Sequence, residues 1–308
     1  DLAATAITGP GYGIVGTPLQ FDITVKNEGL LTQNAYNIHL KRYGDDRLAS
    51  MPITTPIAPG ATATYSISWT PTSPYQGVLN LVGEVELTGD ATPGNNETAT
   101  KTVYAAPASV SILSVGDDAS TTSGYYLPLD MYHKNSVTEQ LYFTDELHLN
   151  SGSITAIIYK NTFQTNLSNK PVKIWMAHTT VTDLTGGWLP AANYALVFDG
   201  TVNFPSGVNS IVIPLNTPYA FTGGTLAVRV NRPMDTVYYS TSDKFYYTTT
   251  AAHTNRGRYL VNDTTVYDPM APSAAGTAVG YTANTRFIVD NAVLQQSAVL
   301  SGHVYQGA

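Results

Sequence analysis

The stretch from Thr92 to Val103 reads TPGNNETATKTV, and how it is read decides the fold. Pro93-Gly94-Asn95-Asn96 has turn chemistry, because Gly and Asn tolerate positive φ. The residues that follow alternate. Thr98, Thr100 and Thr102 fall on one face of a strand, and Ala99, Lys101 and Val103 on the other. Lys101 sits badly on that second face, which predicts an edge strand or a shallow core. After Val103 comes YAAPAS, a small-residue stretch with a proline that reads as a linker. The two asparagines therefore close a folded unit, residues 1–104, rather than open a binding loop.

The same two-residue period runs upstream. Phe21, Ile23 and Val25 of FDITV share a face, as do Tyr36, Ile38 and Leu40 of YNIHL. Tyr65, Ile67 and Trp69 of YSISW do the same, and so do Leu79, Leu81, Val85 and Leu87 of LNLVGEVEL. Turn signals lie between these runs: VKNEG, APGA, TPTSPYQG. Residues 105–290 continue with candidate strands VSILSV, EQLYF, ITAIIY, VKIWMA, YALVFDG, NSIVIPL, TLAVRVN, TVYYS, KFYYT and TRFIV. No stretch keeps a helical period without Gly or Pro intervening. The expected class is all-β, as tandem β-sandwiches: an Ig-like seven-stranded domain, then a larger jelly-roll-like sandwich. Residues 291–308 form a C-terminal strand or tail.

As a set, the runs DLAATAITGPGYGIVGTPLQFDITVKNEG, IAPGATATYSISW and TPGNNETATKTV resemble the CARDB family of bacterial adhesion-related domains. The resemblance covers residues 1–104. It implies a seven-stranded Ig-like sandwich, a spacing or adhesive role, and no catalytic residues to carry over. Residues 105–290 look like β-sandwich modules of secreted bacterial multidomain proteins. LSGHVYQGA is similar to the first strand of carboxypeptidase-regulatory-like repeats, so the tail reads as the start of a further module or as a donor strand.

Composition narrows the function classes. The chain is 43% hydrophobic and 12% charged, with a net charge of -7. An acidic chain without clustered Lys and Arg is not built for nucleic acid. No apolar run of about 18 residues is present, so membrane insertion by a helix is not expected. There is no Cys, which removes disulfides and thiolate chemistry and fits a location outside the cell or on its surface. The chain starts at Asp1 with no Met and no signal-like segment, and a processed or trimmed start is inferred.

Chemistry-bearing motifs are sparse. The six histidines show no metal-ligand spacing, and His39 alternates outward as a solvated residue. Glu84 and Glu86 share one face of a strand, more in keeping with solubilising charges than with a glycosidase pair, whose carboxylates converge from opposite sides of a sugar. Calcium is left open as a cofactor, with Asp117-Asp118 and Asp45-Asp46 as loop acids and no ligand set assigned. Tyrosine is the livelier signal. SGYYLPLDMYHKN, TVYYSTSDKFYY and RGRYLVNDTTVYDP place many of the 21 Tyr near turns, where rings can stack on sugars or anchor protein contacts. Trp188, in the loop TGGWLP, is the candidate exposed indole, while Trp69 and Trp175 belong to core patterns. Asn96, Asn166 and Asn262 stand in N-x-S/T patterns, and Thr236 and Thr264 in Asp-Thr patterns, as glycosylation candidates.

The expectation is a non-enzymatic extracellular protein, structural or adhesive, with protein partners that include identical subunits. In its stronger form, Ser297, Val299, Ser301, Val304 and Tyr305 of the tail add a strand to a neighbour and build a filament. The alternative is a carbohydrate-binding or spacer region of a larger secreted hydrolase, with glycans as partners. A chain that is itself a hydrolase is the third reading.

Overall fold

A computed structural model describes residues 1–117 and 119–295. Two compact units are present: Asp1–Val110 with Asn209–Val212, and Ser111–Val208 with Ile213 onward.

The first unit carries eight strands: β1 Leu2–Thr8, β2 Tyr12–Ile14, β3 Leu19–Asn27, β4 Tyr36–Arg42, β5 Arg47–Ile53, β6 Thr62–Trp69, β7 Gly77–Glu86 and β8 Lys101–Ala106. They form a three-stranded sheet, β1-β3-β6, and a five-stranded sheet, β2-β8-β7-β4-β5. β1 and β2 are one Ig-like first strand broken in two, the second half crossing to pair in parallel with β8. Gly9 makes the break, at φ 142° and so close to β3 that a Cβ would lie 2.7 Å from Phe21 Cδ1. Counted this way, the expected seven strands are all there.

The alternating residues meet between these sheets. Phe21, Ile23, Val25, Ile38, Leu40, Leu81, Val85 and Val103 are fully buried, and Trp69 is nearly so. Tyr36 and Tyr65 join the two sheets through their hydroxyls at 2.5 Å. The opening stretch ends the unit by tying it to the chain's start. Thr92 Oγ1 and Asn95 Nδ2 donate to the Asp1 carboxylate, and Leu2 N donates to Asp90.

One expectation for this stretch is corrected. Thr98 is buried, not on an exposed threonine face. The pairing strand starts only at Lys101, so the alternation counted from Thr98 does not apply. Thr98 Oγ1 instead accepts from Gly83 N and donates to Ala99 O.

The second unit holds β9 Val110–Val115, β10 Ser123–Gly124, β11 Asn135–Tyr142, the single helical turn α1 Thr144–Leu147, β12 Leu149–Phe163, β13 Leu167–Thr179, β14 Ala195–Phe204, β15 Gly207–Phe221 and β16 Thr225–Arg232. β17 Lys244–Thr249, β18 Gly257–Asn262, β19 Thr277–Val279, β20 Tyr281–Ala283 and β21 Thr285–Leu294 complete it. One sheet runs β14-β13-β16-β11-β18-β19. The other runs β10-β17-β12-β21-β9, with β15 also paired to β12. Its core contains two four-strand orders, β11-β16-β13-β14 and β9-β21-β12-β15, with successive strands mostly alternating between sheets. That connectivity is two interlocked Greek keys, the jelly-roll pattern. β12 is long enough to pair β21 along Leu149–Tyr159 and β17 at Asn161–Thr162.

Aromatics fill the space between these sheets. Phe163 of β12 lies 5.5 Å from Phe204 of β14 and 5.1 Å from Phe245 of β17, and Tyr142 of β11 meets Phe287 of β21 edge-on at 5.0 Å. TVYYS, expected as a strand, is irregular, while GRYLVN, not expected, is β18. The backbone around Val237 is held by isolated bonds rather than by a ladder. Arg232 Nη2 donates to Val237 O, and Tyr239 N to Met131 O. Residues 296–308 lie outside the described residues, and with them Ser297, Val299, Ser301, Val304 and Tyr305 of the expected assembly strand.

Candidate functional site

Three tyrosine-bearing stretches far apart in sequence converge on one surface of the second unit. Tyr238 meets Tyr132 edge-on at 6.1 Å, and Tyr132 meets Tyr125 at 6.0 Å. Tyr125 and Tyr126 are 4.4 Å apart, and Tyr126 lies flat on Tyr259 at 3.9 Å. Tyr238 is 60% exposed and Tyr132 36%, whereas Tyr125, Tyr126 and Tyr259 are half-buried behind them. Burial and the neighbouring phenols push the Tyr126 hydroxyl well above the ordinary tyrosine value, its bond with Tyr125 being the largest cause. It stays neutral across the physiological range.

Polar groups of two kinds border the rings. His133 packs beside Tyr132 at 4.9 Å and is held from below by Asp130, which is fully buried. Asp130 Oδ2 accepts from His133 Nδ1 at 3.0 Å and Oδ1 from His133 N at 2.8 Å. This fixes the ring's tautomer and leaves Nε2 without a partner among the described residues. Burial raises the Asp130 carboxyl above the ordinary carboxylate range, opposed by the bonds from His133 and by nearby Arg232. Lys134 places its ammonium 5.9 Å from the Tyr238 ring. The other cations are committed. Arg232, fully buried, bonds Asp235 and two main-chain carbonyls of the 131–133 turn, and Lys170 reaches Tyr239 and Asp235.

Trp188 does not serve as the free indole that the loop sequence suggested. It is half-buried, its Nε1 donates to Ala274 O at 2.8 Å, and the guanidiniums of Arg229 and Arg258 lie 5.5 and 5.7 Å from its ring centre. Beneath it is a set of charges that alternation alone did not reveal. Glu139 of β11 is flanked in the sheet by Arg229 of β16 and Arg258 of β18. Glu139 accepts from Arg229 Nε and Nη2, from Tyr194 OH and from Leu189 N. Arg229 also donates to Leu189 O and Pro269 O, and Arg258 to Leu184 O, Ala275 O and Gly276 O. Apart from the Arg229–Glu139 bonds, which join two strands of the sheet, each of these bonds pins a covering loop to the sheet, so the cluster is a fastening and offers no open chemistry.

In the first unit, His39 is 3% exposed and not solvated as expected. It does lie on the outer face of its strand, but Ser50 bonds its Nδ1 and Glu86 its Nε2. Glu84 and Glu86 share that face and are both paired with Arg47, and Lys41 bridges Glu84 and Glu97. Arg47, then His39, hold the Glu86 carboxyl below the usual carboxylate range. A shallow recess of about 340 Å³ lies beside them, lined by Arg47, Glu86, Asp90, Pro93 and Asn96 among others.

The glycosylation candidates are scattered. Asn166 is exposed with its Oδ1 bonded to Ser206 N. The Asn262 side chain is used to fold its own turn, accepting from Thr264 and Thr265 N and donating to Tyr267 OH. Thr236 and Thr264 are exposed, and Asn96 is half-buried in the domain-closing turn. No group of three or more His, Cys, Asp or Glu placed to hold a metal ion occurs among the described residues. Asp45 pairs with Arg42, Asp117 caps its own turn through Ala119 N, and Asp118 lies outside the described residues.

An Ig-like order of strands in residues 1–106, closed by its own first residue, is the observation that places the first unit. Residues 1–101 match the family model CARDB. No curated protein sequence matches the chain. Among solved structures, a CARDB domain of Pyrococcus furiosus, crystallised in complex with di-metal ions, is 20% identical and covers 34% of this chain and 87% of its own, with a TM-score of 0.28. The solution structure of a Pyrococcus furiosus CARDB domain is 21% identical over 34% of this chain and 94% of its own, with a TM-score of 0.29. The PKD domain of a peptidase from a Thermoplasmatales archaeon is 16% identical over 34% and 96%, with a TM-score of 0.22.

Proposed function

We propose that this chain is a non-enzymatic, adhesive β-sandwich component of a bacterial surface, and that the tyrosine surface of the second unit is the face that holds its partner. The observation that carries this is the convergence of Tyr125, Tyr126, Tyr132, Tyr238 and Tyr259 on one side of a jelly roll. Exposed phenols joining an apolar face to a polar tip are favoured contact groups. The CARDB region then acts as a spacer. Low charge, the lack of Cys and the CARDB match support an extracellular location. No described helix is long and apolar enough to cross a membrane.

Beads coated with the chain are expected to adhere to bacterial cell surfaces. Beads carrying Tyr132→Ala with Tyr238→Ala should lose that adhesion. Equal adhesion by both sets, or none by either, refutes the reading.

The finer form of the proposal is assembly by strand addition. β5 lies at the end of the five-stranded sheet and pairs with β4, so its other edge is a template for residues 297–305 of a neighbouring copy. Deleting residues 297–308 should leave monomers in sedimentation and electron microscopy. Filaments that persist in the truncated chain refute assembly without touching the adhesive reading. The tyrosine surface also favours a second reading, a carbohydrate-binding region of a larger secreted hydrolase.

A further inference from the structure

We infer that the ligand class of the tyrosine surface is a neutral glycan chain, stacked on Tyr132 and Tyr238 and oriented by His133. The inference rests on the adhesive reading above and sharpens it.

Around Tyr238 the main chain forms no strand: β16 ends at Arg232 and β17 begins at Lys244. Asp235 N donates to Lys134 O, Tyr239 N donates to Met131 O, and Val237 O accepts from Arg232. A peptide strand would need free main-chain donors and acceptors in a row, and this irregular segment offers no such row. What remains are ring faces and side-chain tips. A pyranose has the matching chemistry: a C–H face to lie on an aromatic ring, and hydroxyls around its rim to bond polar tips.

Rigidity supplies the second argument. The exposed pair is backed by Tyr125, and behind it Tyr126 is flat against Tyr259 at 3.9 Å. The platform is therefore ordered before ligand arrives, and binding does not have to freeze long side chains. His133 is ordered as well, because buried Asp130 accepts hydrogen bonds from its Nδ1 and its main-chain N–H. That leaves Nε2 as a polar tip of fixed direction, on a ring 4.9 Å from that of Tyr132. Aromatic faces with a few fixed polar groups are the usual make-up of a small-ligand site.

Charge decides between neutral and anionic ligands. Of the cations near the rings, Arg232 is buried and paired with Asp235, and Lys170 is engaged with Tyr239 and Asp235. Lys134 alone faces the exposed ring. With Asp235 and Asp263 bonded beside it and a chain net charge of -7, the surface does not favour uronic acids, sialic acids or nucleic acid.

The test uses an array of neutral oligosaccharides derived from cellulose, chitin, mannan and galactan, with uronic-acid and sialylated oligosaccharides beside them. The purified chain is applied as wild type, Tyr238→Ala, Tyr238→Trp, Tyr132→Ala and Trp188→Ala, each checked for a native melting transition. Saturable binding to neutral glycans is expected. Tyr238→Ala or Tyr132→Ala should weaken it about tenfold or more, as loss of one stacking face implies, and Tyr238→Trp should keep it. Trp188→Ala should leave it unchanged, because that indole is engaged elsewhere. Neutral-glycan binding that survives both tyrosine truncations overturns the placement, and binding confined to the acidic sugars overturns the ligand class. No glycan binding, with bead adhesion still tyrosine-dependent, overturns the glycan inference and leaves a protein partner and the adhesive reading standing. Failure of both assays overturns both.

Discussion

Arg229→Met should be the most damaging single substitution on the outer face of the six-stranded sheet. Arg229 and Glu139 are each fully buried, with guanidinium and carboxylate 2.5 Å apart at closest approach. Removing the guanidinium leaves a carboxylate in the interior with only Tyr194 OH and Leu189 N to bond it. A buried carboxylate stripped of its bonded partner costs about 3–5 kcal/mol, less whatever the charge of Arg258 on the neighbouring strand offsets. At roughly 2–4 °C per kcal/mol for a unit of this size, the melting transition of the second unit should fall by about 6–20 °C. Two carbonyls, Leu189 O and Pro269 O, also lose their donor. The companion variant, Glu139→Leu with Arg229→Met, removes the stranded carboxylate and leaves Arg258 on its own main-chain acceptors. Its cost should then reduce to the unmet main-chain groups and be smaller than the sum of the single costs by about 2 kcal/mol or more. Calorimetry on wild type, both singles and the double closes the cycle. A single cost under about 1 kcal/mol, or single costs that add within about 0.5 kcal/mol, would refute the claim that the pair is a desolvated fastening.

Three further substitutions test other parts of the fold. Gly83→Ala places a Cβ 2.7 Å from Ile23 Cγ2 and 2.8 Å from its Cγ1 across the first core, so it should cost about 1–3 kcal/mol in urea unfolding; Ile23→Ala, which removes both clashing atoms, should cost less in the Gly83→Ala background than in wild type. Asp243, 1% exposed, accepts from Gln164 N, Thr165 N and Oγ1, and Ser240 N. Asp243→Ala should cost about 3 kcal/mol and speed amide exchange at Gln164 and Thr165; unchanged exchange there would count against it. Lys101 is held below the usual lysine range by burial, and no carboxylate pairs with it among the described residues. Its charge therefore opposes folding at neutral pH, and the cost fades as pH rises through the lowered value toward the ordinary value of about 10.4. Lys101→Met should raise the melting temperature at pH 7 and raise it less at pH 10; a gain that grows with pH has the wrong sign.

Some of this could be read directly from residues. The inward set Phe21, Ile23, Val25, Ile38 and Leu40 follows from period two, since a pleated strand sends alternate side chains to opposite faces whatever surrounds it. Lys101 looked ill-placed in its strand. The structure puts it where β8 pairs with β7 but extends past short β2, half of it an edge. Period two also sent His39 outward correctly, yet outward was not exposed. Ser50 and Glu86 from neighbouring strands bond both its ring nitrogens, and nothing in YNIHL records those neighbours. Trp188 failed as a free indole for the same reason, since its partners Ala274, Arg229 and Arg258 come from three other segments.

What the amino-acid sequence determined by itself is local: strand faces, the turns at Gly and Asn, and the all-β class. These depend on φ/ψ preferences and side-chain alternation within a few residues. What only the tertiary structure decided is which faces meet. The tyrosines of three distant stretches become one surface, and Glu139 finds two arginines, because β11 lies between β16 and β18 with loops folded over the sheet. Sheet order is set by the long-range packing of the whole core, and that information is not carried by any one stretch of the chain.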